Sequence, residues 1–168
     1  MPRDFEFRDV PLGYHITFRG HGTWLHGDER GSVDRFHNRF GSPRIPSNKR
    51  WLQHNKSQLK APPVRLGKRR RELILEAVRE TCKIRKWKLW VTNVRTNHIH
   101  TVVTAPCDPE FVLIALKANA TRKLREARSW LSTRSPWAKG GSKKRLWTEK
   151  SLNNAIAYVE CDQGEPLT

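Results

Sequence analysis

Acidic residues are scarce in this chain. Only 16 Asp and Glu stand against 33 Lys and Arg in 168 residues, giving a formal net charge of +17 and a sequence pI near 10.6. The excess is spread along the chain rather than confined to a tail, and a folded domain of this kind is most simply a binder of polyanions, of which nucleic acid is the commonest. Long apolar runs are missing as well: none approaches the roughly 18 residues of a membrane-spanning helix, and no long basic amphipathic helix dominates, which disfavours a membrane role. The start, Met1-Pro2-Arg3-Asp4-Phe5-Glu6-Phe7, is charged and shows no signal pattern. Cysteines number three, Cys82, Cys107 and Cys161, widely spaced and without a C-x-x-C pair; they read as free thiols of a reducing compartment, so the expected location is cytoplasmic. Tyrosine is rarer still, with Tyr14 and Tyr158 alone. The length suits one domain of ordinary size, able to bury a real core.

What is present centres on residues 87–104, rich in Val, Ile, Thr and Trp with apolar and polar positions alternating, which predicts strand rather than helix. A hairpin fold near 92–95 is expected within it. His98 and His100 sit near its middle. Side chains two apart on a strand share a face, separated by about 6–7 Å of rise. Two imidazoles so placed can take neighbouring corners of one metal ion, while Ile99 turns to the other face and anchors the strand. The pair alone does not name the metal, because neutral imidazole suits several divalent ions. The alternative is two partly exposed histidines of no special role.

The flanking segments supply the context. Residues 14–19 alternate Tyr14, Ile16 and Phe18 against His15, Thr17 and Arg19, a half-buried strand in which Tyr14 is a core residue. From Gly20 to about Pro63 the pattern dissolves into Gly, Pro, Asn, Arg and His, too long for an ordinary connection, so a loop-rich insertion at about 20–64 is expected. His21, His26 and His37 lie near Asp28, Glu29 and Asp34 there, but in no recognised ligand spacing; a solvated or DNA-facing loop is the simpler reading. Residues 68–86 carry a helical stripe of Leu73, Ile74, Ala77, Val78, Thr81 and Cys82. Asp108 is placed to cap a second helix running to about residue 130. That helix bears Lys117, Arg122, Lys123, Arg125 and Arg128, either a solvated face or a phosphate-contacting one.

Residues 135–147 form a basic, glycine-containing segment with Lys143, Lys144, Arg145 and two tryptophans, the interleaving of charge and aromatic surface that suits a single strand. Trp147 is assigned to the core and Trp137 is left as either a loop pin or a stacking platform. Finally Thr148 can cap a helix over 149–163 with Leu152, Ile156 and Val159 as its buried stripe, ended by Gly164 and Pro166. Tyr158 lies on it, with Asn154 one turn before and Asp162 and Gln163 one turn after. Taken alone, Tyr158 is more often an ordinary amphipathic-helix tyrosine.

Asn97-His98-Ile99-His100 on a strand, then a helix, a basic segment and a last helix carrying Tyr158 resembles the single-tyrosine HUH transposases of insertion-sequence-200-like elements. The likeness covers residues 14–19 and most of 70–163. It implies an α+β fold, a ferredoxin-like or RRM-like sandwich whose central antiparallel sheet carries both histidines, with helices packed on one side and the tyrosine helix near the metal. It further implies a homodimer that acts on single-stranded or hairpin DNA and cuts and rejoins strands through a 5′-phosphotyrosine intermediate. Tyr158 would be the nucleophile and His98 and His100 ligands of Mg²⁺ or Mn²⁺. Asp162 or Gln163 would supply the third ligand. A phenol is protonated below about pH 10 and needs such help. DNA contacts are expected from Lys117, Arg122, Lys123, Arg125, Lys143, Lys144, Arg145 and Trp137. Two other classes remain in view: a non-catalytic single-strand-binding module on the same sheet, and a metal nuclease that uses water in place of tyrosine.

Overall fold

A computed structural model describes residues 10–29 and 43–162. In chain order the elements are β1 (Gly13–Arg19), α1 (Lys49–Ser57), α2 (Lys68–Arg85), β2 (Lys88–Val94), β3 (His98–Thr104), α3 (Pro109–Glu126), β4 (Ser142–Leu146), α4 (Glu149–Ala157) and a wide π-helical turn, Tyr158–Asp162. The four strands form one sheet in the order β2-β3-β1-β4, every neighbouring pair antiparallel. Each of α2 and α3 therefore carries the chain across a strand before it re-enters the sheet. This is the split β-α-β arrangement of ferredoxin-like α+β folds, as the sequence led us to expect.

Alternation along the strands decides which side the long helices cover. Tyr14, Ile16 and Phe18 of β1 stand with Ile99 and Val103 of β3 in the main core, where they meet the stripe of α2 (Leu73, Ile74, Ala77, Val78, Cys82) and Val112, Leu116, Ala120 and Leu124 of α3. Asp108 caps α3 as foreseen, its side chain accepting from the Glu110 amide at 2.9 Å. The helix ends at Glu126, short of residue 130, and Arg128 beyond it is left-handed at φ 52°. The hairpin turn falls at 95–97, slightly later than expected. The opposite face of the sheet holds a smaller cluster in which Val102 and Leu146 pack on Leu152, Ala155 and Val159. Those contacts seat α4 against the sheet on the side away from α2 and α3.

Several sequence expectations are corrected. Within 20–64 the chain forms α1, which buries no residue and so shows no apolar stripe to read. The basic segment contains an edge strand, β4, whose ladder to β1 supplies what Ser142-Lys143-Lys144-Arg145 lacks in strand propensity. Gly141 enables that entry, since a Cβ there would lie 2.7 Å from the Thr17 carbonyl oxygen. Trp147 is not the core residue expected, and Trp137, left open, is. Trp147 is 51% exposed while its neighbour Leu146 is buried, and Trp137 is 5% exposed, edge-to-face on Phe18 at 4.9 Å. The last helix is α-helical only to Ala157, and Ala155 with Leu152 and Val159 is buried while Ile156 is half-buried.

Candidate active site

His98 and His100 rise from the start of β3 on the face away from α2 and α3, their rings 4.8 Å apart and perpendicular, while Ile99 is fully buried in the core behind them. Pairing with β1 sets their neighbours: Arg19 lies opposite His98 and Thr17 opposite His100. One step along β1, His15 reaches diagonally, its Nε2 3.0 Å from His100 Nδ1, and Thr17 Oγ1 is 2.9 Å from the same nitrogen. Burial, and then the charge of Lys144, push the His15 pKa down to about 4. His15 is thus neutral at neutral pH. His98 Nδ1 meets the Asn97 side-chain oxygen at 2.6 Å. An amide oxygen only accepts, so that bond puts the proton on Nδ1 and the lone pair of His98 on Nε2.

Tyr158 arrives from the other side of the same pocket. Thr148 and Ser151 form a reciprocal capping box that starts α4, and its apolar stripe docks the helix on Val102 and Leu146. The backbone then widens into the π turn, a feature common at functional sites. Asn93, in register with His100 on β2, donates to the Val159 carbonyl at 3.1 Å and pins this turn to the sheet. Tyr158 is left 38% exposed, with its ring 5.8 Å from that of His100 and 6.0 Å from that of His15, both edge-on. Tyr14 is excluded from any such role: it is buried in the core and its hydroxyl donates to the Cys107 carbonyl at 2.8 Å.

Alternation also sorts the basic residues named from sequence. On β4, Lys144 pairs with His15 and faces the histidines. Lys143 and Arg145 face the other way, paired with Glu110 and, at 3.4 Å, with Asp108. The α3 cations lie in the helical layer. Lys117 donates to the carbonyls of Ala138 and Gly140 at 2.8 and 2.6 Å. Arg122 bridges Glu126 and Glu80, Lys123 bridges Glu76 and Glu80, and Arg125 donates to the Thr133 carbonyl at 3.1 Å. Trp137 likewise donates to the Lys117 carbonyl and Thr121 hydroxyl at 3.1 and 3.0 Å and, being buried, offers no face to a base. These side chains fasten α3, α2 and the β4 loop to one another rather than line the histidine face.

Among the described residues no third His, Cys, Asp or Glu joins the histidine pair as a metal cluster. The side chain of Asp162 and all of Gln163 lie outside what the structure describes, as do Asp34 and His37. The donors that are described fit a divalent cation in kind: two adjacent imidazoles, one with its tautomer fixed by an amide oxygen. His15, Asn93 and Asn97 were missed as site residues. The sequence held two signals: His15 is on the polar side of the β1 alternation, and Asn97 directly precedes His98-Ile99-His100.

The description "Transposase IS200 like" fits residues 62–160 of the chain. That span is more than half of the molecule and includes both histidines and Tyr158. The chain belongs to the IS200-like transposase family. Strand β1 and the segment that follows it, up to residue 61, lie outside the matched span. Among solved structures, the chain is similar to a REP-associated tyrosine transposase bound to a REP hairpin, at 11% identity and TM-score 0.47, with 95% of this chain and 70% of that one covered. It is also similar to a transposase-like protein of Deinococcus radiodurans R1, at 14% identity and TM-score 0.44, with 95% and 96% covered. At these values neither likeness bears on activity. No curated protein sequence matches the chain. Among the described residues, no helix of this IS200-like protein is long and apolar enough to cross a membrane, and all three cysteines are free thiols.

Proposed function

We propose that this chain cuts and rejoins single-stranded DNA with Tyr158 as the nucleophile. The observation that supports the reading best is the meeting of the Tyr158, His100 and His15 rings on the sheet face opposite α2 and α3. In the reaction the Tyr158 oxygen forms a bond to the scissile phosphorus as the bond to the 3′ oxygen breaks. The phenol proton is lost, the leaving 3′ oxygen takes one up, and a 5′-phosphotyrosyl ester remains. A 3′ hydroxyl reverses the exchange to rejoin the strand, and because one phosphate ester replaces another no ATP is consumed.

His98 and His100 would hold a Mg²⁺ or Mn²⁺ ion with Asp162 or Gln163, and the ion would polarise the phosphate and offset charge in the transition state. Asn97 sets the His98 tautomer. With the proton of His100 on Nδ1, that N–H donates to His15 Nε2, and the Nε2 lone pair of His100 turns to the phosphate side. A neutral His15 is the acceptor this arrangement needs. Asn93 holds the π turn that presents Tyr158, and Lys144 adds positive charge beside the phosphate. The DNA partner is read as single-stranded or hairpin DNA, and membership of the family supports a homodimer as the working unit.

Labelled single strands incubated with Mn²⁺ test the reading. The expected result is a covalent protein–DNA band that Tyr158→Phe abolishes. Cutting that survives this substitution would point to a nuclease using water, and binding without any cutting to a non-catalytic module.

A further inference from the structure

Residues 20–61, after β1, lie outside the span matched by the family description, yet this segment touches the histidine pair. Gly20 N donates to the Asn97 carbonyl at 2.8 Å, and Thr23 Oγ1 lies 2.7 Å from the Gly20 carbonyl and 3.3 Å from that of Asn97. The loop is therefore hung on the residue that precedes His98. Trp24 follows, in a left-handed conformation at φ 50° that bulky residues rarely adopt. Its half-buried indole meets the His98 ring edge-to-face at 5.7 Å, and Arg44 Cζ lies over one face of the ring, 5.7 Å from its centroid, so that a base would take the other face.

Next in the described part of the loop, Gly27 and His26 are fitted to the start of α1. Gly27, at φ 91°, lies so close that a Cβ would stand 2.5 Å from the Asn48 carbonyl oxygen. The Asn48 amide donates to the Gly27 carbonyl at 3.0 Å, and His26 stacks on Trp51 at 5.2 Å and 12°. Strained backbone held by its surroundings next to a reactive centre is a pointer to function. An indole beside a guanidinium in a chain of net charge +17 has the chemistry of a single-strand site, where bases stack on aromatic rings and cations follow the phosphates.

We propose that Trp24, with Arg44 beside it, is the stacking platform for the base that flanks the scissile phosphate. The proposal rests on the reading of His98 and His100 as the place where that phosphate sits. Since every base has a π face, the platform grips and registers the strand without selecting its sequence.

The test uses the full chain and short oligothymidylates carrying one 5-iododeoxyuridine, in EDTA so that no cutting occurs. Photocrosslinks mapped by peptide mass are expected on Trp24. Trp24→Ala is expected to weaken binding about tenfold, the effect of one lost stack, with the dependence of affinity on salt unchanged. Trp24→Phe is expected to keep most of the affinity, and Arg44→Ala to lower the salt slope by about 0.7. Crosslinks that avoid Trp24, wild-type binding by Trp24→Ala, or equal loss in Trp24→Phe would overturn the proposal. Failure of strand cutting by the wild-type protein would leave this result standing, and failure of the stack would leave the Tyr158 chemistry standing.

Discussion

The two faces of the sheet are made by the same strands and differ in almost everything else. Toward α2 and α3, β1 and β3 present Tyr14, Ile16, Phe18, Ile99 and Val103, buried and apolar apart from the Tyr14 hydroxyl and Thr101. Toward α4 the alternate positions present His15, Thr17, His98 and His100, with Lys144 beside them on β4. A period of two thus divides one ladder into a face that supplies stability and a face that carries the candidate site. Substitutions one residue apart should separate the two properties.

The widest separation is expected at 98–100. Replacing His98 and His100 by Ala should lower strand cutting by about a thousandfold or more, because several kcal/mol of charge stabilisation is removed. Much of the DNA binding should survive, measured by anisotropy on the same protein. Simultaneous loss of cutting and of the far-ultraviolet dichroism would instead assign the pair to the fold. Ile99→Ala, between them, should behave the other way. It is expected to cost about 2–5 kcal/mol in urea unfolding while leaving the cutting rate per folded molecule near wild type.

His15 sharpens the contrast through pH. Its folded-state pKa, about 4, lies below the ordinary value of 6.5. As pH falls between those values the unfolded chain takes up a proton that the folded chain does not. Stability present above pH 6.5 is therefore lost toward pH 4, by as much as ~3 kcal/mol. Urea midpoints across that range, in EDTA, should show a shallower decline for His15→Asn than for wild type; parallel curves would contradict the assignment. The smallest effect is expected on β4. Lys144→Gln should lower the salt slope of single-strand binding by about 0.7, whereas Lys143→Gln, on the face that pairs with Glu110, should leave it unchanged.

How much of this could be read in advance follows from which contacts are local. The His98–His100 spacing, the α2 stripe and the Asp108 and Thr148 caps are set within a few residues, and each stands where the sequence put it, whereas Tyr158 falls just past α4, in the π turn. His15 is separated from His100 by 85 residues, and only the pairing of β1 with β3 brings them together. Helix α1 buries nothing and has just two apolar side chains, the adjacent Trp51 and Leu52, too few to repeat. Strand β4 has almost no strand-forming side chains, and its backbone pairing with β1 is what holds it. The burial of Trp137 and the exposure of Trp147 have the same origin. The bridge between Gly20 and Trp137 fixes one indole in the core, and the alternation of β4 gives the inward position to Leu146. The ion pairs of Arg122 and Lys123 with Glu76 and Glu80 were not legible because α2 and α3 are adjacent only in the folded chain.

The central claim is that two imidazoles of the sheet and the phenol of the terminal turn converge on one cation. Paramagnetic broadening by substoichiometric Mn²⁺ tests it directly, with ring resonances of His98, His100 and Tyr158 assigned through single substitutions. The account predicts that these three broaden first and together, and that Mg²⁺ restores them. Broadening that spares them, or that reaches the histidines and never Tyr158, would contradict it.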